Sequence, residues 1–233
     1  MIDLHLAAGR GKTAIGWLNS AHTFSFGDFR DPARMGFGAL RVLNDDRVAP
    51  GGGFPSHPHR DMEIISWVVE GALEHRDSLG TGSVIRPGDL QRMSAGRGIV
   101  HSEFNASRHE PVRFLQIWIP PDTLGLDPSY EQRHFDEAER NGRLRLMVSP
   151  DGADGSVTIH RDVKIFGASL KPGQRIEYAL NPGRYAWIQV VRGHLSLGDL
   201  ILAEGDGAAI YAEASLSLGG LDDDAELLLF DVP

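Results

Sequence analysis

Residues 51–63 read Gly51-Gly-Gly-Phe-Pro-Ser-His57-Pro-His59-Arg-Asp-Met-Glu63, and farther along comes Gly96-Arg-Gly-Ile-Val-His101-Ser-Glu103. Both stretches carry ion-binding side chains at positions i and i+2. In an extended strand those positions share one face, so His57 and His59 point the same way, as do His101 and Glu103. On adjacent antiparallel strands, inward residues come within about 5 Å of each other. Pro58 offers no backbone donor and suits the start or edge of a strand. Surface histidines would be the better account of a lone His-x-His pair; the added His-x-Glu pair after a glycine-rich turn makes the pattern specific. The spacing predicts a β-barrel whose mouth gathers His57, His59, His101 and Glu103 around one divalent metal ion.

The rest of the chain is punctuated in the same way. Short apolar or alternating runs bounded by Gly, Pro, Asn or Asp predict strands at Phe37–Leu43, Glu63–Val69, Ala72–Arg76, Val84–Arg86, Asp89–Met93 and Arg113–Ile119. Others follow at Leu144–Val148, Lys164–Leu170, Tyr185–Val191, His194–Leu197, Gly207–Ile210, Ser215–Leu218 and Glu226–Val232. A spacing of roughly ten residues argues for barrels or sandwiches rather than βαβ units. Only Pro128–Asn141 reads as helical turns. It lies in a segment, Pro120 to Arg143, expected to link two domains, residues 1–125 and 126–233. A length of 233 residues suits two domains, each of about 100 to 130 residues. An internal repeat supports the division: Val68-Val-Glu-Gly-Ala-Leu-Glu-His75 resembles Val190-Val-Arg-Gly-His-Leu-Ser-Leu197, and Gly-Asp follows each at 88–89 and 205–206.

Composition narrows the function. With 23 basic and 32 acidic residues the net charge is −9, and no run of Lys or Arg occurs. That disfavours direct nucleic-acid binding, which needs a basic footprint. The absence of cysteine removes disulfides, thiolate zinc, iron–sulfur clusters and thiol nucleophiles together. The first ten residues lack the basic and apolar regions of a secretory leader. No apolar run approaches the roughly 18 residues of a membrane span. A cytoplasmic monomer with no membrane partner is the expectation.

The quoted motifs resemble the pirin family of the cupin superfamily over nearly the whole chain. The likeness also rests on His22-Thr-Phe-Ser-Phe26, Gly36-Phe-Gly-Ala-Leu-Arg-Val-Leu-Asn-Asp45, Glu70-Gly71, Met93-Ser-Ala-Gly96 and Tyr130-Glu-Gln-Arg133. It implies an all-β bicupin, two tandem jelly-roll barrels, with metal in the first and none in the second. Iron is the implied ion, and the activity implied for bacterial members is quercetin 2,3-dioxygenase, opening a flavonol ring with loss of carbon monoxide. Animal pirins are also regarded as transcriptional co-regulators, so an iron-binding redox sensor acting through a protein partner is the second reading.

In many cupins the carboxylate ligand falls at the position of Glu63; in pirins it falls at that of Glu103. Glu103 is chosen on that resemblance and because it pairs with His101, leaving Glu63 as the alternative or as a group orienting a histidine. Three imidazoles and a carboxylate suit Fe(II), but also Ni, Co, Mn, Cu or Zn. The expected substrates are a small phenolic molecule and dioxygen, with Glu103 as ligand and as base for the flavonol proton. Phe24, Phe26, Phe37 and Phe54 are read either as a pocket wall or as core. His22 is read as lining the mouth or capping a turn. His75, His109, His134, His160 and His194 are read as solvated or loop residues. The turn Leu221–Asp224 is read as solvated, with a weak cation site as the alternative.

Overall fold

The structure, a computed structural model, describes residues 1–221 and 224–233, so the turn at 221–224 lies partly outside the described residues. Strand takes up 56% of the chain and helix 4%, as the all-β reading requires. Each half is a sandwich of one seven-stranded and one four-stranded sheet among the described residues. The first large sheet runs Ser129–His134, Asp89–Ser94, Glu63–Glu70, Val112–Ile119, Val42–Val48, Leu18–His22 and Gly11–Ile15 in hydrogen-bonded order. Its small partner runs Gly53–His59, Ile99–Asn105, Leu73–Asp77 and Gly82–Ile85. In the second half the large sheet runs Ile2–His5, Gly207–Ile210, Tyr185–Arg192, Ala225–Val232, Lys164–Leu170, Arg145–Ser149 and Val157–Thr158. Its small sheet runs Arg175–Ala179, Ser215–Gly220, His194–Leu197 and Leu200–Ala203.

Two strands cross between the halves. Ile2–His5 pairs with Gly207–Ile210 in the second large sheet, and Ser129–His134 pairs with Asp89–Ser94 in the first. The latter stretch was expected to be helical; only Glu137–Arg140 is. An open sheet edge decides the matter over local propensity. The Arg92 guanidinium donates to Ser129 Oγ at 2.8 Å and to Glu131 Oε2 at 2.9 Å, and the Tyr130 hydroxyl meets Ser83 Oγ at 2.5 Å. The expected strand Phe37–Leu43 is likewise displaced. Phe37 and Leu40 close a turn, and the strand begins at Val42.

Period-two alternation explains the packing. On Glu63–Glu70, Ile65, Trp67 and Val69 face the other half, while Ile64, Ser66 and Val68 face their own barrel. On Tyr185–Arg192, Trp187 and Val191 face the first half, while Ala186, Ile188 and Val190 face inward. The two large sheets therefore share one apolar core that runs from Leu43, Trp67 and Ile117 to Met147, Trp187 and Phe230. The repeat is visible in matching turns: Gly71 and Gly193 hold φ of 76° and 68°. A Cβ there would meet backbone at Pro111 O (2.5 Å) and Asp224 O (2.7 Å) respectively, so only glycine fits.

The barrel interiors differ in chemistry. The second is filled by one continuous apolar cluster that includes Leu170, Ile188, Leu195, Leu218 and Leu229. The first holds two smaller clusters, one around Val48, Leu73, Ile85 and Phe114 and one around Ile64, Met93 and Ile99. Buried polar groups lie along the same strands: Asn44, Asp46, Ser66, His75, His101, Glu103 and Gln116.

Candidate metal centre

The His-x-His strand Gly53–His59 and the His-x-Glu strand Ile99–Asn105 are hydrogen-bonded neighbours. Their register sets His101 opposite His57 and Ile99 opposite His59, then slips between His101 and Glu103 so that Glu103 faces Phe54. The bulge turns the Pro55 carbonyl toward the His57 ring, and His57 Nδ1–H donates to it at 2.7 Å. That bond fixes the tautomer and leaves Nε2 as the lone-pair donor. Close approach of the two strands depends on Gly53, where a Cβ would lie 2.5 Å from Glu103 O and 2.6 Å from Phe104 Cα.

The structure brings His57, His59 and His101 together, each offering a nitrogen within 4.8 Å of the others. Ring centroids are separated by 4.5 Å (His57–His101), 4.8 Å (His57–His59) and 4.9 Å (His59–His101). Glu103 belongs to an overlapping trio with His101 and His75, also within 4.8 Å. His101 is shared by both trios. Its two ring nitrogens are buried without a hydrogen-bond partner. A buried, unpaired imidazole costs free energy unless something binds its lone pair, and an ion of the N/O-binding kind fits that demand.

Electrostatics agree. Burial, and then the neighbouring His57, lower His59 to about 4. Burial followed by His57, His59 and His75 lowers His101 to about 2. Both rings are thus neutral at neutral pH, as ligands must be. Burial raises Glu103 to about 7, against the hydrogen bonds from Ser66 Oγ (3.2 Å) and Gln116 Nε2 (3.0 Å).

His75 is not solvated as expected: it is fully buried. Its Nε2 lies 3.1 Å from Asp77 Oδ2, and its Nδ1 has no partner. Only its outward-facing neighbour Arg76 is in solvent. Glu63 is also buried, but its carboxylate accepts from Ser94 Oγ at 2.8 Å and lies 3.3 Å from His160 Nδ1. His160 therefore reaches across from the second half and is no isolated loop residue. His109, His134 and His194 are exposed, and His134 contacts Asp89 at 2.7 Å.

A cavity of about 560 Å³ opens on His57, His101 and Glu103. Of the four phenylalanines named from sequence, Phe26 and Phe54 line it together with Trp118, whose ring sits 5.0 Å from that of His59. Phe24 and Phe37 instead pack on Trp187 in the core between the halves. His22 lines the cavity, neither capping a turn nor facing solvent. Its Nε2 accepts from Thr13 Oγ1 at 2.8 Å and its Nδ1–H donates to Asn44 Oδ1 at 2.9 Å. Sequence reasoning missed Asn44, Asp46, Ser66, Gln116, Trp118 and the His75–Asp77 pair. The one available signal was the polar run Asn44–Arg47 set between Val42-Leu43 and Val48.

Residues 5–119 match the family model described as Pirin, and residues 146–232 match that of the quercetinase C-terminal cupin domain. A quercetin 2,3-dioxygenase of Escherichia coli K12 is 44% identical over 233 residues, covering 100% of this chain and 99% of that protein. A putative quercetin 2,3-dioxygenase of Pseudomonas aeruginosa is 46% identical over 223 residues, covering 95% of each. The crystal structure of the E. coli bacterial pirin YhhW in complex with nickel(II) superposes with a TM-score of 0.95 at 44% identity, covering 100% of this chain and 99% of that one.

Proposed function

This chain belongs to the pirin family, and from that premise we propose that it is a metal-dependent dioxygenase cleaving a flavonol such as quercetin. One observation carries the reading: three imidazoles converge, one of them with buried unpaired nitrogens, and two of them, His57 and His101, open onto an apolar-sided cavity beside the buried Glu103 carboxyl. His57, His59, His101 and Glu103 would hold a single ion there, with Fe(II) as the native metal. Such an ion supplies Lewis-acid polarisation to the substrate oxygen and brings dioxygen chemistry to the site.

The chain's own groups do the remaining work. Phe26, Phe54 and Trp118 give a flat phenolic substrate an apolar slot and exclude water. Glu103, held by Ser66 and Gln116, takes the proton of the flavonol hydroxyl onto its carboxylate. His57 is kept in its ligand tautomer by the Pro55 carbonyl. We propose further that the protein acts as a cytoplasmic monomer on a small phenolic molecule and dioxygen, with no nucleic acid as a partner.

Oxygen uptake tests the function directly. Protein loaded with Fe(II), and separately with Ni(II), should consume dioxygen when quercetin is added, and stripping the metal with a chelator should reduce uptake to background. Activity that survives complete metal removal would refute the mechanism.

The carboxylate assignment has its own test. Because Glu103 holds a proton up to about pH 7, an ion taking that carboxylate must displace it below this pH. Affinity should therefore weaken as pH falls through 7, well before His59 titrates near 4. Glu103→Gln should bind metal at least about tenfold more weakly and lose this pH step in calorimetric titrations. Glu63→Gln should keep both affinity and step; the reverse result would make Glu63 the ligand.

A further inference from the structure

The cavity has two walls. The small sheet supplies the histidines and Glu103, and the large sheet supplies a row of polar groups opposite them. Register places Ser20 beside Asp46 and His22 beside Asn44, with Asn44 next to Gln116 and Gln116 next to Ser66. Most of these groups are satisfied within the protein: His22 by Thr13 and Asn44, Ser66 by Glu103. Two acceptors are not. Asp46 is 3% exposed and its Oδ1 has no hydrogen-bond partner; Gln116 is 7% exposed and its Oε1 has none. Both residues line the cavity. The outward neighbour Asp45 makes the contrast plain, for it is paired with Arg113 at 3.0 and 2.8 Å.

A buried acceptor without a donor is costly. A protein keeps one where a ligand brings the donor, and a site built in this way rejects analogues that lack the matching hydroxyl. Resting on the flavonol reading above, we propose that the Asp46 carboxyl reads substrate hydroxyls, hydrogen-bonding a phenolic O–H other than the oxygens that face the histidines. The preferred substrates are thus polyhydroxylated aromatics rather than bare flavonols. Burial also raises Asp46 to about 7, with Ser20 acting against it and Asp45 adding to it, so the group can accept or donate to a phenol near neutrality. Gln116 supports Glu103, and the test therefore rests on Asp46.

Quercetin and 3-hydroxyflavone share the 3-hydroxyl and 4-carbonyl edge and differ in their other hydroxyls. Dissociation constants for both are measured by tryptophan fluorescence quenching on nickel-loaded protein without oxygen. The wild type should favour quercetin by about tenfold, the value of one good hydrogen bond. Asp46→Leu should reduce that preference to below about threefold while leaving 3-hydroxyflavone binding within about twofold of wild type. Asp46→Asn, which keeps an acceptor in the same shape, should restore most of it. Asp46→Ser takes the place of the leucine variant should the latter not fold. An undiminished preference in these acceptor-less or shortened variants, or equal weakening of both ligands, would overturn the proposal and leave Asp46 a structural residue. If wild-type protein binds neither flavonol, the dioxygenase reading itself fails and takes this inference with it.

Discussion

His101→Ala is expected to lower metal affinity by at least about a hundredfold, since loss of a group merely supporting a ligand already costs 10- to 100-fold, and oxygen uptake should fall with it. His101 contributes to both candidate trios and contacts the rings of His57, His59 and His75. Its fold contribution should be small by comparison, because its ring nitrogens satisfy no protein group. The two roles separate in a thermal melt. Added metal at about 100 times its dissociation constant stabilises a native state by roughly 2.7 kcal/mol. Wild type should show that upward shift, whereas His101→Ala should melt near metal-free wild type with or without the ion. A variant that still takes up stoichiometric metal and shifts normally would remove His101 from the site.

Trp187→Ala should instead destabilise the whole chain by about 3–5 kcal/mol, the usual cost of emptying a large buried aromatic site. Trp187 is fully buried between the two large sheets, with the rings of His5 at 4.9 Å, Phe24 at 5.0 Å and Phe37 at 5.6 Å. Its contacts come from both halves, so a cavity there loosens their shared core. Guanidinium unfolding should show a single transition at a clearly lower midpoint, while the folded fraction keeps wild-type metal affinity, since the histidines stand on the small sheet of the first barrel. A loss below about 1 kcal/mol would mean that the halves do not depend on this packing.

The two strands that bring the candidate ligands together were legible because i, i+2 spacing has one physical meaning in extended chain. The second barrel's lack of His-x-His was equally visible, and an apolar cluster packs its interior. What stayed hidden depends on partners. His75 stands before Arg76-Asp77 and reads as solvated, yet it alternates inward with Leu73 and Asp77. Parity within a strand was known; which face meets solvent was not. For the same reason Asn44 and Asp46 received no role from the sequence, although a hollow barrel places polar side chains inside. Ser129–His134 carries no strong pattern of its own and takes its conformation from the exposed edge of Asp89–Ser94. Trp187 was placed in a strand, but its role between the halves required the second sheet to be in position.

The exchanged strands bear on how the molecule can be made. As the chain emerges from the ribosome, the first barrel's large sheet lacks its last rung until residues 129–134 are out, beyond the division at 125/126. The segment Ile2–His5, synthesised first, waits for Gly207–Ile210 before it finds a neighbour. A fragment cut at residue 125 would therefore carry an orphan strand at one end and a naked ladder at the other, the kind of edge that recruits other chains into aggregates. The halves are laced together by their own termini, and each owes the other part of its closure.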